Sequence, residues 1–287
     1  MRRPLRRGLV LLGCVAALLS ATARAQTLAQ TLPMPAVLPR VADAVQVDLD
    51  GQPLWSATAH AALRPASLTK ILTALLVIER GELDARTIIS PRAAKIAGTR
   101  IGLRAGERVR VDALLTAALV RSANDACLAL AEWHSGSEAR FVATMNARAR
   151  ELGLHDSHFD NACGLDAPTH RASAADLARL AQLAMTRPAF AERVRLREGL
   201  LVTEGGRRLP YTSTNAMLEF YPGLLGVKTG HTQKAGDCLI VLAERDGHRV
   251  LAVLLNARNR WWDATSLLDY TFAQLQAPAG DARAAAR

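Results

Sequence analysis

Ser67 and Lys70 form a Ser-x-x-Lys pair at the head of a run rich in Ile, Leu and Ala. On a helix, residues at this spacing share a face, which brings a hydroxyl within reach of an amine. That is the minimum equipment of a serine nucleophile that uses no histidine. Ser-x-x-Lys arises by chance about once in a chain of this length, so its companions must carry the weight. Two further triplets do so. Ser122-Ala123-Asn124 falls in the link between two helix-patterned stretches, and Lys228-Thr229-Gly230 ends a β-rich run and is followed by His231. A rival to the second triplet, Ser213-Thr214-Asn215, is set aside because Ser122 lies on the helical side of the cleft, opposite the strands.

The chemistry such a set would perform is acyl transfer. Ser67 would attack a carbonyl and become an ester, splitting hydrolysis into acylation and deacylation. Its base must be neutral, and a lysine with pKa near 10.4 is neutral about once in 2,500 molecules at pH 7. Making Lys70 mostly neutral takes about 4–5 kcal/mol, supplied by burial and by a nearby cation such as Lys228. Ser122 can relay the proton toward a leaving amine, and Asn124 can orient Lys70 and a substrate amide. Gly230 lets the strand backbone approach a ligand closely.

The elements that must position these residues are legible in the patterning. Residues 44–49 alternate as a strand, and Asp50-Gly51 gives a hairpin turn into Leu54-Trp55. The Ser67 helix follows and stops at Gly81, and residues 87–89 read as a short strand. Residues 111–120, 125–133, 141–152 and a stretch opened by Ser173 carry helical stripes. Residues 226–229, 238–243 and 250–255 are β-formers, the last two joined at Asp246-Gly247, and a final helix covers 261–275. The order predicts a mixed α/β fold: an antiparallel sheet built from both ends of the chain, with a helical subdomain at about 91–190 inserted between.

Composition narrows the function classes. Half of the 287 residues are apolar, enough for a sizeable core. Five of the arginines behind the +10 charge (Arg2, Arg3, Arg6, Arg7 and Arg24) sit in the amino-terminal segment, and the remainder form no basic run, which argues against nucleic acid. Residues 1–25 combine arginines, an apolar stretch and Ala23-Arg24-Ala25, the pattern of a cleaved export signal. This places the mature chain in the periplasm or outside the cytoplasm, with no strong membrane anchor. Residues 26–42 read as a leader, 43–276 as one catalytic domain and 277–287 as a flexible tail. Cys127, Cys163 and Cys238 remain after the signal, read as buried thiols with a Cys163–Cys238 bridge as the alternative. His155, His158 and His170 lack a metal-ligand pattern, so no metal or other cofactor is expected. Asp176 reads as a helix cap.

The trio of motifs is that of penicillin-binding proteins and class A β-lactamases. With Ala66-Ser-Leu-Thr-Lys-Ile-Leu-Thr73, Ser122-Ala-Asn-Asp-Ala-Cys127, Met145-Asn-Ala-Arg-Ala-Arg-Glu-Leu-Gly-Leu154, Gly164-Leu-Asp166 and Gly226-Val-Lys-Thr-Gly-His-Thr232, residues 43–272 resemble the D-alanyl-D-alanine carboxypeptidases. These are low-molecular-weight penicillin-binding proteins of bacterial cell-wall metabolism. The resemblance implies a β-lactamase/DD-peptidase-like fold, peptidoglycan stem peptides as substrate and β-lactams as covalent inhibitors. It also implies an oxyanion hole from the Ser67 and His231 amides. Lys228 and Thr229, helped by Arg258, would receive the carboxylate of a terminal D-Ala. Short relatives include cross-link endopeptidases, and a catalytically dead wall-binding protein is the alternative of another class. A β-lactamase reading is disfavoured because no Glu-x-x-Leu-Asn string lies between Asn124 and Lys228.

Overall fold

The computed structural model describes residues 32–36 and 38–276. The export signal, the first six residues of the leader and the tail therefore lie outside the described residues. A single helical turn α1 (Leu38–Val41) leads into β1 (Ala42–Leu49), which hairpins into β2 (Gln52–Ala57). A 3₁₀ turn (Ala66–Thr69) then runs into α2 (Lys70–Arg80). The inserted block contains β3 (Arg86–Ile88), α3 (Pro91–Lys95), β4 (Arg108–Arg110), α4 (Val111–Val120), α5 (Asn124–Ser135), α6 (Glu138–Glu151), α7 (Ala174–Met185) and α8 (Pro188–Val194). After it come the hairpin β5 (Glu198–Val202) and β6 (Arg208–Thr212), α9 (Met217–Phe220), β7 (Leu224–Thr232), β8 (Gly236–Arg245), β9 (His248–Ala257) and α10 (Arg260–Gln276).

The main sheet is antiparallel with strand order β2-β1-β9-β8-β7, so amino- and carboxyl-terminal strands meet at the β1–β9 pairing. This is the architecture the sequence order predicts. Its central strands are buried on both faces, and the period of two sorts their side chains. Ile240, Leu242, Leu251, Val253 and Leu255 face the helical block, with Ile71, Leu72 and Leu75 of α2 in the same cluster. Leu239, Val241, Val250, Ala252 and Leu254 point the other way, onto Leu267, Leu268 and Phe272 of α10. β7 is thereby left at the edge, with one long side free to meet the 3₁₀ turn. The short β3–β4 and β5–β6 ribbons form separate two-stranded sheets. β5, β6, α8 and α9 are too short or too weakly patterned to be read from sequence.

Two readings change. Cys127 and Cys163 form a disulfide, with Cα atoms 5.9 Å apart, while Cys238 is the buried free thiol. The expected Cys163–Cys238 alternative fails because Cys238 lies on β8 beside the Arg64 and Ala235 carbonyls, whereas Cys127 on α5 faces the loop that carries Cys163. Asp176 is not the cap of α7. The Ser173 hydroxyl accepts from Asp176 N–H, and the Asp176 carboxylate instead accepts from Asp156 N–H and the Ser157 hydroxyl.

His170 lies in a loop yet is only 3% exposed. Asp160 N–H donates to its Nδ1 at 3.0 Å, so Nε2 carries the proton and donates to Thr69 Oγ1 at 2.8 Å. Thr69 in turn donates to the Ala66 carbonyl, bracing the turn that holds Ser67. Burial pushes the His170 pKa down to about 4, as a neutral ring in this network requires. An unfolded histidine near 6.5 binds its proton first as pH falls, so stability drops from pH 6.5 toward 4. The full span is worth about 3 kcal/mol. His170→Gln should flatten the slope of unfolding free energy between pH 6.5 and 5, read by urea denaturation; an unchanged slope would assign the acid sensitivity elsewhere.

Candidate active site

Ser67 lies in the second position of the 3₁₀ turn rather than in α2 itself. In that tighter geometry residues three apart eclipse one another, which brings Lys70 Nζ to 2.9 Å from Ser67 Oγ. Ser67 is half-buried, while Lys70 is 1% exposed. Ala66, just before Ser67, holds φ +48°, a left-handed conformation that non-glycine residues adopt at a cost of about 1 kcal/mol or more. The turn is kept there by its neighbours. A Cβ on Gly164 would collide with the Ala66 carbonyl, and one on Gly230 would come within 3.2 Å of Ser67 N. These two glycines let a loop and an edge strand approach the Ser67 turn closely.

Lys70 Nζ has two further acceptors, Asn124 Oδ1 at 2.8 Å and the Cys163 carbonyl at 2.6 Å. Its pKa is held well below the usual lysine value, first by burial and then by the nearby Lys228 ammonium. Asn124 is itself fixed: Nδ2 donates to the Ala97 carbonyl and its N–H to the Thr99 carbonyl. Asp125, fully buried, accepts from the Ile101, Gly102 and Leu103 amides and ties that loop to the start of α5. Ser122 is 7% exposed at φ +61° in the bend between α4 and α5. The structure thus brings together Ser67, Lys70 and Asn124, with Ser122 two residues from Asn124. Asn215 of the rival triplet instead caps Met217 N–H.

On the β7 side, Lys228 is 1% exposed, and Nζ donates to the Thr229 carbonyl at 2.9 Å. Burial, then the charge of Arg260, lowers its pKa to about 7. Thr229 Oγ1 lies 2.6 Å from Thr214 Oγ1, a partner sequence reasoning placed in a discarded triplet. The exposed His231 ring pairs with Asp237, which leaves its backbone as the part that lies along the strand.

Arg258 is not the arginine that joins this group. It is exposed, and its N–H pairs with the Val41 carbonyl. Arg260, two residues on at the start of α10, donates to the Gly230 carbonyl at 2.9 Å, pairs with Asp237 at 3.2 Å and stacks on Trp261. The end of β9 and the first turn of α10 decide which of the two faces β7, and no periodicity marks that boundary. Among the described residues no cluster of His, Cys, Asp and Glu with metal-holding geometry occurs.

Residues 40–259 match the family described as D-alanyl-D-alanine carboxypeptidase, peptidase S11. The chain belongs to this family. It is 35% identical over 81% of its length to D-alanyl-D-alanine carboxypeptidase DacF of Bacillus subtilis, spanning 62% of that protein. With DacB2 of Mycobacterium tuberculosis it shares 30% identity over 80% of this chain and 81% of the other. The solved DD-transpeptidase of Streptomyces K15 superposes with a TM-score of 0.78 at 28% identity, covering 84% of this chain and all of that one. The family match and this superposition agree with the sheet and inserted helical block described above.

Two outcomes follow from the electrostatics. Lys228→Ala removes a cation that depresses Lys70, so the Lys70 pKa rises and the acidic limb of acylation moves alkaline. The effect is largest below about pH 7, where Lys228 is charged; an unmoved limb would make Lys228 a ligand group only. Arg260→Ala should slow acylation by a carboxylate-bearing β-lactam about tenfold or more, whereas Arg258→Ala stays within about twofold. Equal losses in second-order acylation rate would contradict the assignment.

Proposed function

We propose that the protein is a serine DD-carboxypeptidase that removes the terminal D-Ala from peptidoglycan stem pentapeptides and acts outside the cytoplasm. The observation that carries this reading is the buried Lys70 amine, 2.9 Å from Ser67 Oγ and held by Asn124, in a chain of the S11 family. Ser67 Oγ attacks the carbonyl of the penultimate D-Ala while neutral Lys70 takes its proton. The tetrahedral oxyanion is held by the Ser67 and His231 amides. As the bond breaks, the proton reaches the departing amine through Ser122, free D-Ala leaves, and an ester remains on Ser67. Water, deprotonated by the same base, then hydrolyses the ester. Lys228, Thr229 and Arg260 receive the carboxylate of the leaving residue, and Gly230 lets the substrate backbone lie along β7. A β-lactam carries the same carboxylate beside a reactive carbonyl, but its leaving amine stays tethered, so the drug acylates Ser67 and inhibits. No helix among the described residues is long and apolar enough to cross a membrane.

Ser67→Ala should abolish labelling by a fluorescent penicillin while leaving the unfolding transition in place; labelling at the wild-type rate would remove Ser67 as nucleophile. The bond cut is decided by one enzyme stock given a pentapeptide and purified cross-linked dimers, with products separated by chromatography. D-Ala release should outrun dimer opening, and the reverse order would make the protein an endopeptidase.

A further inference from the structure

Two of the three acceptors of the Lys70 amine, Asn124 and the Cys163 carbonyl, lie on segments that a disulfide ties together. Asn124 and Cys127 sit together in the first turns of α5, and Cys163, whose carbonyl accepts from Nζ, is bonded to Cys127. The loop around Cys163 covers Lys70. Asn161 Oδ1 gathers the amides of Cys163, Gly164 and Leu165 into one turn, and Gly164, at φ +83°, packs against Ala66 and Ser67. Noncovalent ties come from Thr73 Oγ1 to the Ala162 carbonyl and from Ala162 N–H to Glu138. The cystine is the only covalent tie between this loop and α5, and both its residues are at most 1% exposed.

We propose that the Cys127–Cys163 disulfide is a positioning device for the general base, clamping the Cys163 carbonyl and Asn124 around Lys70 so that acylation depends on this pair being oxidised. The proposal rests on the reading of Ser67 and Lys70 given above. Neither sulfur touches substrate; the cystine acts through the carbonyl and through exclusion of water. Forming it removes two electrons and two protons from two thiols, taken up by a disulfide-exchange partner, and a dithiol reductant reverses the step. The other titratable groups facing Lys70 are Lys228 on β7 and His170 on the following loop.

The test uses the full chain with Cys127→Ala and Cys127→Ala/Cys163→Ala, both of which keep the backbone carbonyl while removing the clamp. Cys238→Ala, a buried cysteine outside the cystine, is the control. Thiol titration in denaturant should show two additional thiols in wild type after dithiothreitol. Penicillin labelling of both clamp variants should fall about tenfold at pH 7 and recover at higher pH, with the acidic limb moved alkaline by about one unit as water reaches Lys70. The control should lose only thermal stability. Folded clamp variants with the wild-type rate and pH profile would overturn the proposal, as would a thiol count showing no cystine. Should the variants be unfolded at assay temperature, wild type is reduced under native conditions until two thiols appear, then reoxidised. Labelling should fall and return, and undiminished labelling of the reduced form refutes the clamp. Failure of untreated wild type to label at all would instead refute the underlying site reading.

Discussion

A lysine amine taken out of water beside a serine hydroxyl is the constraint on which the rest depends. Lys70 is fully enclosed, and an unpaired buried ammonium would be costly. The fold answers with three oxygens from three separate parts of the chain: the 3₁₀ turn, α5 and the loop at Cys163. Those oxygens suit either protonation state. An ammonium donates to all three, whereas a neutral amine donates to two and offers its lone pair to the Ser67 hydroxyl. The state is set by what surrounds them. Burial disfavours charge, and Lys228 adds repulsion. Lys228 is in turn buried and repelled by Arg260. Two cations in sequence, Arg260 acting on Lys228 and Lys228 on Lys70, each weaken the proton affinity of the next lysine inward.

The enclosure is made by backbone as much as by side chains. Ala66 and Ser122 hold positive φ, Gly164 leaves no room for a Cβ and Gly230 leaves little. The strain is tolerated because the surroundings over-determine it. His170 and Thr69 fix the turn from below, β7 closes one side, and the Asn161 turn closes the other. The five-stranded sheet and α10 act at a distance, by holding β7 and Arg260 in register with that turn.

Ser67, Lys70, Asn124 and Lys228 were legible because their chemistry is tied to short, fixed spacings, and the sheet was legible because its strands alternate or run apolar. Arg258 was named and Arg260 passed over because a strand-to-helix junction has no period to count from, and a two-residue shift there exchanges an exposed arginine for one that reaches β7. The cystine was missed for a similar reason. Three cysteines allow three pairings, and only the packing of α5 against the Cys163 loop chooses among them. Thr214 beside Thr229, and the Cys163 carbonyl, carry no signature at all, since one is a common residue in a rejected motif and the other is backbone.

The chain contains only four lysines, Lys70, Lys95, Lys228 and Lys234, so the electrostatic core can be read directly. Protein labelled with ¹³C at lysine Cε, with each signal assigned by lysine-to-arginine substitution, gives four titration curves by NMR. Lys228 should titrate near pH 7 and Lys70 well below the ordinary lysine value. A Lys70 curve near 10.4 would mean that Lys70 is a charged structural group and not the base of this site.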